Sequence, residues 1–368
     1  MKIALLITGL GMGGAENQVV SLADRFVALG HSVLLIALTG ETIVLPQNSL
    51  VRVENLGIAK TLAGLWSGYR KASLLLSEFK PDAVHSHMVH ANIFTRLLRL
   101  TVSMPCLICT AHSSNEGRRM RMLAYRLTDA LADITTNVSR AAVMSSIKRG
   151  AVPEGRMIVM HNGIDCDRFF FDPLARKRLR IALNLPVGSQ SFLAVGRFTE
   201  AKDYSNLLTA FATLCRVRPD GILWIAGTGI QQVIYESQAL ELGIAHKVVF
   251  LGLRRDISAL MSAADIFVLS SAWEGFGLVV AEAMACERLV VSTDAGGVRE
   301  VLGDVGWLIP IQDSEKLAGA MSDAMNVTPT SQLAKGRAGR DRIMKNYALS
   351  PVADRWIEIY RGDYAELH

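Results

Sequence analysis

The stretch "SSAWEGFGLVVAEAMACERLVVSTDAGGVREV" (270–301) holds two carboxylates, Glu274 and Glu282, with seven residues between them. It follows an apolar, strand-like run. Glu274 therefore falls in a loop, Gly275, Phe276 and Gly277 lead into a helix, and Glu282 lies about one and a half turns inside it. The mouth of such a helix offers backbone N–H groups with no intrahelical partner, here those of Phe276, Gly277 and Leu278, and the positive end of the helix dipole. That setting suits a phosphate or sugar hydroxyls. A loop carboxylate can accept hydrogen bonds from sugar hydroxyls, and one deeper in the helix can hold a ribose diol. An ordinary helix glutamate behind an acidic N-terminus would give the same pattern.

A second constellation weighs on the choice. "AVGRFTEAKDYSNLL" sets Arg197 directly after a strand and Lys202 five residues on, where a helix begins. One fork-shaped donor and one point charge at a strand's carboxyl end can clamp a diphosphate. In an enzyme that breaks a sugar–phosphate bond they would stabilise the leaving diphosphate and make a metal unnecessary. The plainer alternative is a solvated basic pair. A third feature, "LLITGLGMGGAENQ" (5–18), spaces Gly9, Gly11 and Gly14 as G-x-G-x-x-G. A dinucleotide site would want an acid about 20 residues past the glycines, and Glu41 is a late, poor match.

These residues need elements to hold them. "KIALLIT", "SVLLIAL", "AVHSH", "LICTAH" and "ITTNVS" read as strands separated by helical segments such as 15–29 and 64–79. The pattern restarts with "SFLAVGRF", "ILWIAGTG", "VVFLG", "IFVLSS", "LVVSTD" and "GWLIP". The fold class is α/β: two doubly wound parallel sheets in tandem, with ligands expected at the strand ends facing a cleft. Between the halves, "VMHNGIDCDRFFFDP" (159–173) breaks the alternation and places the hinge. The expected division is 1–165, 166–349 and a terminal amphipathic helix over 350–368, begun at Ser350-Pro351 and packing back toward the first domain.

Length and composition agree with two well-buried domains: the chain has 368 residues, half of them hydrophobic. A net charge of +5 favours anionic company without singling out nucleic acid. Five cysteines, an odd number, lie mostly in apolar stretches and fit a reducing cytoplasm. Cys106 and Cys109 form a C-x-x-C, but "PCLICTAH" reads as a buried strand, so core packing is the expectation. "MKIALLIT" turns into glycines too early for a signal peptide and reads as a first strand. No window approaches 18 consecutive apolar residues, so membrane contact would be peripheral, at the inner face of the cytoplasmic membrane.

Taken in order, "GGAE", "HNGID", "GRF...K", "EGFGLVVAEAMA" with its E-x7-E pair, and "DAGGVRE" resemble the retaining glycosyltransferases of family 4, with the two-domain GT-B fold, over nearly the full chain. The resemblance implies that Arg197 and Lys202 bind the donor diphosphate, Glu282 the ribose, and Glu274 with the backbone of Gly275, Phe276, Gly277 and Leu278 the transferred sugar. It puts Gly13 and Gly14 before the phosphates and acceptor, His112 of "TAHSS" near the donor sugar as a catalytic residue, and Arg254 of "FLGLRRDI" at the base. It also implies a front-face displacement in which the leaving phosphate helps deprotonate the acceptor, with no metal and no other cofactor. The expected donor is a UDP-sugar giving a hexose or N-acetylhexosamine.

The resemblance further implies a glycan or an undecaprenyl-diphosphate-linked acceptor, in surface polysaccharide or lipopolysaccharide assembly. "EGRRMRMLAYRLTD" (116–129), with Arg118, Arg119, Arg121 and Arg126, and "LAGLWSGYRKASLLL" (62–76), with Trp66, Tyr69, Arg70 and Lys71, could rest on an anionic bilayer or meet a lipid diphosphate. Solvated helix faces covering the sheet would look similar. Two other functions remain open: an NAD-dependent oxidoreductase or epimerase of nucleotide-sugars, and a GT-B scaffold without chemistry. Neither accounts for Arg197, Lys202, Glu274 and Glu282 together.

Overall fold

The computed structural model describes residues 1–114 and 119–363, leaving aside the side chain of Arg119. The chain forms two compact units: Met1–Gly163 together with the last helix, Leu349–Arg361, and Ile164–Ala348.

The first unit is a seven-stranded parallel sheet of β1 (Lys2–Ile7), β2 (Ser32–Ala37), β3 (Arg52–Asn55), β4 (Ala83–His87), β5 (Leu107–Ala111), β6 (Ile134–Asn137) and β7 (Met157–Val159), in the order β3-β2-β1-β4-β5-β6-β7. Successive strand side chains point to opposite faces. Ile3, Leu5 and Ile7 accordingly share one core with Val33, Leu35, the helix Gly14–Ala28 and Leu349–Arg361. Ala4 and Leu6 share the other with Leu34, Ile36 and Leu76 of the helix Leu62–Phe79. Burial on both faces is why these strands read as unbroken apolar runs. In Leu349–Arg361, Val352, Ala353, Trp356, Ile357 and Tyr360 are buried against the first core, with the Tyr360 and Phe26 rings 5.7 Å apart. This helix starts at Leu349, so Pro351 is its third residue.

The second unit repeats the plan with β8 (Gln190–Val195), β9 (Gly221–Ala226), β10 (Val248–Gly252), β11 (Ile266–Leu269), β12 (Leu289–Thr293) and β13 (Trp307–Ile309), ordered β10-β9-β8-β11-β12-β13, all parallel. Phe192, Ala194, Leu223, Ile225 and Val268 pack against the helices Tyr204–Val217 and Ser314–Met325 on one face. Leu193, Trp224, Phe267 and Val290, which alternate with them, are equally buried on the other. Strands β3 and β7, both at sheet edges, were absent from the expected set. Cys106 and Cys109 are buried, as core packing of that strand requires.

Candidate active site

In each sheet the strand order reverses once, between β1 and β4 and between β8 and β11. The crevice beyond the strand ends at such a reversal is where open parallel sheets take ligands. In the second unit the two loops leaving β8 and β11 are fastened to each other there. The Ala272 N–H donates to the Ala201 carbonyl at 2.9 Å, and the Ser270 hydroxyl to the Lys202 carbonyl at 2.8 Å.

The side chains of Lys202 and Glu274 close the same seam. Lys202, in the short turn Glu200–Lys202, donates from Nζ to Glu274 Oε1 at 2.6 Å, and both side chains are less than a fifth exposed (18% and 17%). The buried Ser271 hydroxyl donates to the same oxygen at 2.7 Å, and Thr293 Oγ1 anchors the Ser271 carbonyl at 2.7 Å. Two donors on Oε1 fix the carboxylate's orientation and leave Oε2 to accept from a ligand. Two glycines permit this. A Cβ on Gly196 would lie 2.6 Å from Lys202 Cε, so the lysine stem crosses bare backbone at the end of β8. Gly296 sits at φ 64°, and a Cβ there would lie 2.3 Å from the Glu274 carbonyl oxygen.

Glu282 is the fifth residue of the helix Leu278–Ala285, which Gly277 opens from a left-handed conformation (φ 90°). Burial pushes its carboxyl up to about 7, while the charges of Arg168 and Lys202 pull the other way. Lys202 therefore acts on both acids of the E-x7-E pair. At neutral pH Glu282 can exchange between accepting from a diol and donating to it. Gly275 and Phe276 are buried; the Phe276 ring turns inward onto Tyr347, centroids 5.4 Å apart, so only its backbone is left for a ligand. Leu278 is half-buried. Arg197 is exposed and makes no ion pair among the described residues, so its guanidinium is open to an anion. Arg254 is already forked onto Asp256, with Nε to Oδ1 at 2.8 Å and Nη2 to Oδ2 at 2.6 Å, so a ligand there would compete with that carboxylate.

Residues 12–168 match the family model described as Glycosyltransferase Family 4, and residues 175–340 match the one described as Glycosyl transferases group 1. A protein of Bacillus subtilis (strain 168) named Putative glycosyltransferase EpsD is 30% identical over 267 residues, covering 68% of this chain and 69% of EpsD. The chain belongs to glycosyltransferase family 4. An Escherichia coli enzyme named UDP-Gal:alpha-D-GlcNAc-diphosphoundecaprenol alpha-1,3-galactosyltransferase is 24% identical over 325 residues, 83% of this transferase and 81% of that protein. Among solved structures, Anabaena HepE in complex with UDP and glucose superposes with a TM-score of 0.87 at 21% identity, covering 98% of this chain and 100% of HepE. The fold is GT-B, and the protein is a transferase enzyme.

The first unit of the transferase holds the remaining expected residues. Gly13 and Gly14 open the helix Gly14–Ala28 beyond β1. The Glu16 carboxylate folds back over them, since a Cβ on Gly13 would lie 2.4 Å from its Oε2. A negative charge thus already stands at this helix mouth. His112, just past β5, has Nε2 3.0 Å from His87 Nδ1 at the end of β4, and burial lowers its imidazole to about 4. It is neutral at physiological pH. His85 lies beside them, its Nδ1 2.6 Å from the Tyr360 hydroxyl and its Nε2 2.6 Å from Thr110 Oγ1. Arg118, the Arg119 side chain and residues 364–368 of the expected terminal helix lie outside the described residues.

Sequence reasoning missed Ser271, Arg168, His85 and His87. Ser271 stands inside the stretch that drew attention to Glu274, but a serine there gives no sign of which oxygen it will meet. Arg168 follows the "HNGID" turn, where Asp165 Oδ1 accepts from the backbone N–H groups of Asp167 and Arg168, each at 3.1 Å. Only its position in the folded unit reveals that its charge reaches Glu282.

Proposed function

We propose that this transferase moves a hexose or N-acetylhexosamine from a UDP-sugar, with retained configuration, to a saccharide acceptor carried on an isoprenoid diphosphate such as undecaprenyl diphosphate, in assembly of a surface polysaccharide. One observation supports the reading above the rest: Lys202, Ser271 and Glu274 are knotted across the β8–β11 reversal, and the carboxylate so fixed stands in the loop that leads into the helix Leu278–Ala285. In this reading Arg197 and Lys202 receive the diphosphate, Glu282 the ribose, and Glu274 Oε2 a hydroxyl of the sugar. The acceptor hydroxyl attacks the anomeric carbon on the face that UDP leaves. The bond from that carbon to the phosphate oxygen breaks as the new glycosidic bond forms, and the hydroxyl proton passes to the departing phosphate. Such a step depends on preset charge rather than on a strong base, and the two cations do what a metal would otherwise do. HepE's complex with UDP and glucose and the Escherichia coli relative's named substrates point the same way.

A nucleotide-sugar panel without acceptor tests the donor half. UDP-glucose, UDP-galactose, UDP-N-acetylglucosamine, GDP-mannose and NAD are incubated with the protein, with and without EDTA. Slow release of UDP from at least one UDP-sugar, unaffected by EDTA, is expected. Release of GDP alone, strict metal dependence, or reduction of NAD would defeat this reading.

The lipid half rests on the surface of the first unit. Leu62, Leu65, Trp66 and Leu74 are exposed on the helix Leu62–Phe79 beside exposed Arg70 and Lys71. Met120, Leu123 and Leu127 are exposed along the helix Arg119–Thr128, with Arg126. Apolar side chains interleaved with cations suit the interface of an anionic bilayer. No described helix is long and apolar enough to cross a membrane. With vesicles of phosphatidylglycerol and phosphatidylethanolamine, the protein should float at low salt, and Trp66→Ala with Arg70→Ala should leave most of it at the bottom of the gradient. Wild type remaining at the bottom would remove the membrane from this account.

A further inference from the structure

A pocket on the second unit is used by none of the roles above. The loops leaving β8, β9 and β11 border an open depression of about 300 Å³ lined by Thr199, Glu200, Ala201, Ile230, Gln231 and Trp273. Trp273 precedes Glu274 and is 36% exposed, and Ile230 is 96% exposed. An indole and a branched alkyl group that meet at one concave opening form an apolar surface that a ligand could cover.

The rim identifies what kind of ligand fits. The Gln231 side-chain oxygen accepts from the Tyr235 hydroxyl at 2.8 Å, which turns the amide nitrogen into the available donor. The Glu200 carboxylate is exposed and can accept, and the Thr199 hydroxyl can do either. Among the described residues, no lysine, arginine or histidine lines the opening. A phosphate in the opening would face the Glu200 carboxylate directly, while Lys202 turns to Glu274 and is not among the lining residues. A neutral polyol has no such penalty: the C–H face of a pyranose covers the indole while its hydroxyls reach the carboxylate and the amide.

Resting on the glycosyltransfer reading above, we propose that the Trp273 pocket binds a neutral pyranose of the acceptor saccharide, next to Glu274. Trp273 holds that sugar ring against its face, and Gln231 and Glu200 select its hydroxyl pattern.

Intrinsic fluorescence tests this with the full-length protein. The other four tryptophans are Trp66, Trp224, Trp307 and Trp356, and a Trp273→Phe variant silences only the reporter in the pocket while keeping an aromatic face. Protein with saturating UDP is titrated with methyl α-D-glucopyranoside, methyl α-D-galactopyranoside and methyl N-acetyl-α-D-glucosaminide. A saturable emission change is expected with at least one glycoside, absent in Trp273→Phe and shifted to at least fivefold higher glycoside concentration in Gln231→Ala. An unchanged signal in Trp273→Phe, the same change produced by UDP alone, or no response to any of the three glycosides would overturn the proposal. A UDP-induced thermal shift is recorded on the same samples. Its absence would sink the nucleotide reading, while the glycoside titration would still decide the pocket.

Discussion

Replacing Lys202 with alanine should lower donor turnover on the order of 10²- to 10³-fold while costing only about 1 to 2 kcal/mol of stability in the second unit. The rate estimate is that for removing one preset donor aimed at developing charge, here the departing diphosphate. The stability cost is small because the Lys202 and Glu274 side chains, at 18% and 17% exposure, lie between a surface pair and a fully buried one. Glu274 would also keep the Ser271 hydroxyl on Oε1 and solvent near Oε2. The double variant Lys202→Ala with Glu274→Ala separates the two roles. Removing both partners leaves no carboxylate wanting a cation, so the double variant should melt closer to wild type than Lys202→Ala alone, while activity stays at the floor. Initial rates of UDP release and thermal melts of wild type and the two variants check this. Loss of activity in proportion to loss of folded protein would reduce Lys202 to a structural residue.

Much of this site could be seen in the sequence because residue type and local spacing specify it. Glu274 and Glu282 lie on one loop and helix, and Arg197 and Lys202 on one turn, so their relation needs no tertiary knowledge. The link between the two constellations is different in kind. Lys202 and Glu274 are 72 residues apart, and they meet because β8 pairs directly with β11 rather than with a strand nearer in sequence on that side. A parallel sheet read as an ordered series of runs does not disclose that pairing. The buried histidines are a sharper case. "AVHSH" was legible as strand β4 because its neighbours are apolar, but the partner of His85 is Tyr360, 275 residues away on the last helix. The two missing strands failed for another reason. Strand β3 has the sequence RVEN, with both ends exposed, and β7 spans Met157–Val159 alone, so neither edge strand carries an apolar run long enough to register.

The same buried groups give the two units opposite responses to acid. In the first unit, burial lowers His85 and His87 well below 6.5 and His112 to about 4. A histidine whose folded pKa lies below its unfolded one binds fewer protons when folded, so its contribution to stability is complete above about pH 6.5 and is lost as pH falls toward 4. For His112 alone the full span amounts to about 3 kcal/mol. In the second unit Glu282 is raised from 4.5 to about 7, so the folded state binds more protons and this unit gains stability as pH falls from 7 to 4.5. Asp265 is held below 3.8 by Arg176 and Arg180 despite the opposing effect of its burial, and its contribution is lost only as pH falls below that value. Between pH 7 and 4.5, therefore, the first unit should loosen while the second tightens. Hydrogen exchange of backbone amides checks it: at pH 4.5, corrected for intrinsic rates, protection should fall in β4, β5 and the helix Leu349–Arg361, which His85 joins through Tyr360, and should hold or rise in β8 and β11. Replacing His85 with Phe keeps an aromatic of similar width beside Trp356 and removes one titrating group, so the acid loss in the first unit should shrink. Equal loss of protection in both units at pH 4.5 would show that these burial effects do not govern the acid response.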